Sequence, residues 1–244
     1  MSKERSCLVI GAGDATGAAI ARAFAKEGLV TCITRRERHT DDLERLAQSI
    51  RDEGYKAVAM PSDAREEDAM IALVDRIEKD IAPIEVAVFN IGANVQFSIT
   101  GTTSRVYRKV WEMGCFAGFL MGREVAKRMI ERERGTILFT GATSSTRGRS
   151  GFAAFAGAKH GLRALSQCMA RELGPKNIHV AHVVIDGAID SAFIRERLPD
   201  ADQRRDEDAI LNPEHIAQNY VALHKQPRTA WTHEMDLRPW KEPW

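Results

Sequence analysis

The sequence carries almost no excess charge of either sign: 35 Lys and Arg stand against 34 Asp and Glu, a formal +1 at pH 7. That balance argues against a dedicated partner of nucleic acid or of anionic membrane, which shows a basic excess. Cysteine is scarce, and Cys7, Cys32, Cys115 and Cys168 lie far apart. No Cys-x-x-Cys or zinc-type Cys/His spacing occurs, so structural metal and thioredoxin-like chemistry drop out. Scattered thiols on apolar segments read instead as buried cysteines of a reducing compartment. No apolar run approaches the roughly 20 residues of a membrane span. Met1 to Arg5 leads straight into the short apolar Cys7 to Ile10, without the apolar core of a signal peptide. The expectation is a soluble cytoplasmic protein with no membrane and no nucleic-acid partner. Internal repeats, low-complexity tracts and linkers are absent. Aromatic residues make up only 7%, with Tyr55, Tyr107 and Tyr220 the sole tyrosines.

What is present is apolar patterning. With 244 residues and 44% hydrophobic content, the chain suits one globular domain spanning residues 1–244. Short apolar runs alternate with amphipathic stretches. Strands are expected at Cys7 to Ile10, Val30 to Thr34, Ala57 to Met60, Ile84 to Phe89, Thr136 to Thr140, Ile178 to Ile185 and Ala230 to Leu237. Helices are expected at Ala18 to Glu27, from a cap at Thr40 and Asp41 to Gly54, through Ala69 to Ile77, at Val106 to Ile130, at Phe152 to Leu173 and from Pro213 to His224. Ser191 to Leu211 reads as charged and irregular. The clusters Arg35 to His39 and Glu131 to Arg134 read as solvated surface, the second at a helix end where basic residues complement the dipole. Repeated strand–helix alternation implies an α/β fold: a single doubly wound, Rossmann-type parallel sheet with helices on both faces.

In such a sheet ligands bind beyond the carboxyl ends of the strands. The turn after the first strand is Gly11-Ala12-Gly13-Asp14-Ala15-Thr16-Gly17. Missing side chains let the backbone approach a pyrophosphate, and the following helix offers unpaired N–H groups. Gly11, Gly13, Ala15, Thr16 and Gly17 are therefore cofactor-binding candidates, against the alternative of a merely structural turn. After the second strand, where an adenosine ribose would lie, stand Arg35 and Arg36. An acidic residue there suits the 2′-hydroxyl of NAD. Two guanidinium groups suit a 2′-phosphate, so NADP is expected over NAD.

Placed at their strand ends, these motifs resemble the short-chain dehydrogenase/reductase family over nearly the whole chain. The first turn is similar to Thr-Gly-x-x-x-Gly-x-Gly, with Ile10 where the Thr would be and Ala15 where the middle Gly would be. Pro61-Ser62-Asp63-Ala64 is similar to the family's adenine-contacting segment, which marks Asp63 and Ala64. Phe89-Asn90-Ile91-Gly92 resembles Asn-Asn-Ala-Gly without its first Asn, which marks Asn90 and Gly92. Asp186-Gly187-Ala188-Ile189-Asp190-Ser191 resembles the Pro-Gly-x-x-x-Thr turn that holds the nicotinamide carboxamide, which marks Gly187, Ile189 and Ser191.

The catalytic pattern departs from the family. Its Tyr-x-x-x-Lys appears here as Phe155-Ala156-Gly157-Ala158-Lys159, and its Ser, thirteen residues before the Tyr, falls on Ala142. The helix Asn of its proton relay falls near Gly114 or Cys115. Lys159 keeps the family role of bonding the nicotinamide ribose. A phenylalanine cannot donate the proton an alkoxide needs, and losing a positioned general acid costs about 10²–10⁴-fold in rate. Losing the serine hydroxyl that polarises the carbonyl removes a further electrostatic term. Three readings stay open: a reductase with substitute groups from Thr143, Ser144 and Ser145 beside Lys159; a reductase of conjugated enoyl substrates, like the family's dienoyl-CoA branch; and a non-catalytic NADP-binding sensor. Catalytic candidates are Lys159 and Ser144.

His160 reads as packing or surface, because neighbours on a helix do not share a face. Tyr107 is a remote substitute acid. The tail Trp231, Trp240 and Trp244 reads as packing on the body or across a subunit interface. The resemblance implies that the two long helices pair between subunits of a homodimer or homotetramer. Ser191 to Leu211 is expected to form a mobile lid over a small-molecule substrate, with Phe193, Ile194 and Leu198 either closing on an apolar substrate or packing within the lid.

Overall fold

A computed structural model describes residues 4–242. Seven parallel strands form one sheet, in the order β3-β2-β1-β4-β5-β6-β7: β1 Ser6–Ile10, β2 Val30–Thr34, β3 Ala57–Ala59, β4 Ile84–Phe89, β5 Gly135–Thr140, β6 Ile178–Ile185 and β7 Glu234–Leu237. Every residue of β1, β2, β4, β5 and β6 is buried, as continuous apolar strands require when both faces are covered. The order reverses between β1 and β4. That switch point opens a crevice at the carboxyl edge.

Nine helices are described: α1 Thr16–Lys26, α2 Thr40–Asp52, α3 Glu67–Arg76, α4 Ser104–Trp111, α5 Ala117–Glu131, α6 Ala153–Leu173, α7 Ala192–Arg195, α8 Ala201–Asp206 and α9 Pro213–His224. One face of the sheet packs on α1, α2 and α9 through Ile20, Phe24, Leu43, Ile50, Ile216 and Tyr220. The other packs on α3, α5 and α6 through Met70, Val74, Leu120, Met121, Val125 and Leu162. The doubly wound architecture expected from the alternation is the one observed.

Several local expectations are corrected. Thr40 is the first residue of α2 rather than its cap, because a short turn at Glu37–His39 precedes it and the Thr40 hydroxyl donates back to Glu37 O at 2.6 Å. The helical stretch after Ser104 is not uniform: Glu112–Phe116 forms a wider π turn between α4 and α5. Such insertions gather at functional sites. The segment from Ser191 holds two short helices rather than irregular chain, and Ser191 caps α7 by accepting Ile194 N–H. The last strand begins only at Glu234. Cys7, Cys32 and Cys115 are buried, but Cys168 is exposed, since it points away from the sheet on α6. In the second charge cluster Glu131, Glu133 and Arg134 are exposed as expected, while half-buried Arg132 pairs with Glu78, and Arg134 pairs with Glu85 of β4.

Trp231 stacks on His179 of β6, 4.8 Å between ring centroids and 3° from parallel. Trp240 is 74% exposed and donates its indole N–H to Glu207 O just past α8. The tail thus packs on the body at one point and on the segment after α8 at the other; Trp244 lies outside the described residues. No described helix is long and apolar enough to cross a membrane.

Candidate functional site

One cleft of about 1350 Å³ runs along the carboxyl edge of the sheet. Each cofactor and catalytic candidate named above lines it, because the turns after β1, β2, β3, β4, β5 and β6 all end on this edge.

The first turn is shaped by close backbone approach. Gly11 has φ +87°, and a Cβ there would lie 2.8 Å from Asn90 O. At Gly17 a Cβ would lie 2.7 Å from Ala12 Cα. Gly13 has open space where its side chain would be, room that a ligand phosphate can use. The Asn90 side chain donates to Gly11 O at 3.1 Å and ties the turns after β1 and β4 together. The N-terminus of α1 then points at the cleft.

At one end of the cleft the positive charge is crowded. Arg35 and Arg36 line the wall with His39 and Arg65. Burial and the neighbouring Arg38 lower the pKa of Arg36, and burial with Arg35 and Arg38 lowers that of His39. Arg35 reaches Asp42 only at 3.9 Å. Within the cluster Glu37 and Arg38 are exposed as expected, whereas Arg35, Arg36 and His39 are half-buried. Asp63 is held bidentately by Arg65, and those hydrogen bonds lower its pKa. Sequence reasoning missed Arg65; its place two residues after Asp63 was the available signal.

At the other end stands Lys159, 2% exposed. Its ammonium donates to Thr140 O at 2.8 Å and Ile91 O at 3.0 Å, and lies 5.8 Å from the Phe155 ring centroid. Burial pushes its pKa down to about 8. Phe155 lines the cleft beside it. From the π turn it is Met113, rather than Gly114 or Cys115, that lines the cleft. Gly114 and Cys115 pack instead on Ala158 and Gly161 of α6.

The loop after β5 divides its hydroxyls. Ser144 is buried and lines the cleft; Ser145 is fully buried and accepts Ala142 N–H at 3.1 Å. Thr143 donates to Asp186 Oδ1 at 2.6 Å. Gly141 is required because a Cβ there would collide with the ring of His182, whose pKa burial drives down to about 4. Tyr107 does not reach the cleft: its hydroxyl rests against Gly157 on another face of α6. His160 is exposed, with Nδ1 2.9 Å from Ala156 O.

The buried ammonium has a measurable consequence. Lys159 titrates at its ordinary 10.5 in the unfolded chain and at about 8 when folded. Between those values the unfolded chain binds more protons, so stability rises with pH across this window. Relative to Lys159→Met, the unliganded wild-type protein is expected to gain on the order of 3 kcal/mol between pH 8 and 10.5 in denaturant titrations. Parallel curves for the two proteins would contradict the buried charge.

The comparisons with known proteins follow the same lines. The short chain dehydrogenase family model matches residues 5–202. A crystal structure of a short-chain dehydrogenase from Rhodopseudomonas palustris is 47% identical, covers 97% of this chain and 99% of its own, and superposes with a TM-score of 0.83. The 2-dehydro-3-deoxy-D-gluconate 5-dehydrogenase of Formosa agariphila is 27% identical over 212 residues, 82% of this chain and 80% of its own. The 5-keto-D-gluconate 5-reductase of Escherichia coli (strain K12) is 28% identical over 176 residues, 72% of this chain and 68% of its own. With the glycine turn, the buried lysine and the shared cleft edge in place, the chain belongs to the short-chain dehydrogenase family.

Proposed function

We propose that this protein is an NADP(H)-dependent oxidoreductase with a reduced catalytic set, acting between a small carbonyl or enoyl substrate and its reduced form. The observation that carries the reading is one cleft joining the Arg35–Arg36 end to Lys159 past the Gly11–Gly17 turn. The turn and the N-terminus of α1 would hold a pyrophosphate, Arg35 and Arg36 a 2′-phosphate, Lys159 the nicotinamide ribose, and Gly187, Ile189 and Ser191 the nicotinamide. When bound, the nicotinamide supplies or accepts the hydride.

The proton is the protein's own task. Phe155 and Ala142 bring none. Thr143 has its hydrogen committed to Asp186. The ammonium of Lys159 and the hydroxyl of Ser144 are the donors this wall retains, and a pKa near 8 lets Lys159 exchange a proton near neutrality. Both curated relatives carry names of carbonyl–alcohol interconversions, which supports the carbonyl reading. A second reading, a non-catalytic NADP sensor, is favoured by the same Phe155 and Ala142.

The exposed rings of Tyr107, Trp111 and Phe119 on α4 and α5, with Phe116 stacked between Trp111 and Phe119, support pairing of these helices in a homodimer or homotetramer.

Calorimetry and turnover test the proposal together. NADPH is expected to bind at least about tenfold more tightly than NADH, a difference of ~1.4 kcal/mol. NADPH oxidation is expected to be slow on simple ketones. Turnover of conjugated enoyl thioesters would select the enoyl branch, and tight NADPH binding without any turnover would select the sensor. No heat from either coenzyme overturns the reading.

A further inference from the structure

The wall of the cleft beyond Lys159 carries polar groups to which the coenzyme reading assigns no part. In the turn after β6, Asp186 is 2% exposed, and three side chains converge on its carboxylate. Thr143 Oγ1 donates at 2.6 Å, Arg147 Nη2 lies 3.1 Å from Oδ1 and 3.2 Å from Oδ2, and Arg238 Nη2 lies 3.1 Å from Oδ2. Arg238 already meets the charge from behind and is shared with Asp236. Arg147 and Thr143 are the partners that line the cleft, whereas Asp186 lies behind them. Two residues on, Arg149 lines the same wall, with the Phe152 ring 6.0 Å from its guanidinium carbon. Glu242 approaches from the tail beside Gly187 and is the carboxylate lining this end. Cations thus face the cleft while Asp186 sits in the wall, so a ligand meets the positive charge at closer range.

The hydrogen bonding narrows the ligand further. The Thr143 hydrogen points to Asp186, which leaves the hydroxyl oxygen to the cleft as an acceptor. Arg147 spends one nitrogen on Asp186, and its guanidinium carries further N–H donors in a fixed fork that matches a carboxylate. Donors of positive charge beside a neutral acceptor fit an anionic group next to a hydroxyl. A plain ketone or hydrocarbon satisfies neither.

We infer that the ligand held on this wall is a small hydroxylated carboxylic acid, or its keto form, with its carboxylate on Arg147 and Arg149 and a hydroxyl donating to Thr143. Asp186 is a positioning residue that orients both. The inference rests on the oxidoreductase reading only for calling this ligand the substrate.

The test is equilibrium binding, with and without NADP, of matched pairs that differ in carboxylate against alcohol: D-gluconate and D-glucitol, and D-glycerate and glycerol. In at least one pair the acid is expected to bind at least about tenfold more tightly. Arg147→Gln is expected to remove most of that preference and Arg147→Lys to restore part of it. Asp186→Asn is expected to weaken the acid, and all three variants are expected to retain wild-type NADP affinity. Equal binding of acid and alcohol in every pair overturns the inference, as does an unchanged preference in Arg147→Gln. Acid binding without any change in nicotinamide absorbance supports the site and removes only the assignment of that acid as the substrate.

Discussion

Installing two hydroxyls together, Ala142→Ser with Phe155→Tyr, is expected to raise kcat/KM for carbonyl reduction by about 10²–10⁴-fold, the range a positioned general acid supplies. The scaffold for this gain is already present. Phe155 shares a face of α6 with Lys159, one turn apart, and its ring lies 5.8 Å from the ammonium. A phenol at this place would sit beside the Lys159 ammonium, which below a pH of about 8 favours its ionised form and lowers its pKa toward the working range. The serine would join a loop whose backbone Ser145 already braces through Ala142 N–H, and would add a donor to the carbonyl oxygen. Either substitution alone is expected to recover only part of the gain, because the groups act on one transition state. Steady-state kinetics with NADPH and a panel of ketones gives the answer. Double-variant protein that binds NADPH like wild type yet turns over no faster would show that the lost hydroxyls are not what limits the reaction.

Replacing Arg35 and Arg36 together by serine is expected to weaken NADPH binding by about 10²–10³-fold while moving NADH less than threefold, since each hydrogen bond to a charged group is worth about 1.5–3 kcal/mol. The geometry makes the pair available: Arg35 touches Asp42 only at 3.9 Å, and Arg36 lies among Arg35, Arg38 and Arg65, with Asp63 the carboxylate near it. A doubly charged phosphate would relieve this crowding. The preference for NADPH is also expected to shrink as salt is raised, because both guanidinium groups are partly open to solvent. Titration calorimetry of parent and variant checks both statements. A variant that keeps its preference would move the 2′-phosphate away from these residues, with Arg65 and His39 next in line on the same wall.

The strands were legible because each is a short apolar run with turn residues at its ends, and burial on both faces leaves such runs no other placement. The glycine turn and Arg35–Arg36 were legible for a related reason. Their meaning depends on following a strand, and strand ends can be read from one dimension. Arg147 and Arg149 stood in plain view in Thr146-Arg147-Gly148-Arg149, but a basic loop carries no sign of the direction it faces. Asp186 was legible only as a departure from a family turn. That Thr143, Arg147 and Arg238 would all meet on it depends on three segments each separated from the next by at least 39 residues.

What local composition and periodicity settle here is the alternation of strands and helices and the edge at which a nucleotide would lie; that Phe155 stands where an acid would be is what the family resemblance implies. What only tertiary packing decides is which side chains of those turns share a wall. Tyr107 was a candidate until the crossing of α4 on α6 carried it to Gly157, and Met113 enters the cleft because a π turn rotates Gly114 and Cys115 away. Periodicity reports which face of an element is buried, because solvent exclusion acts on each element separately. The direction of one polar group within that face is set by neighbours distant in sequence, through hydrogen bonds that exist only after the sheet has brought them together.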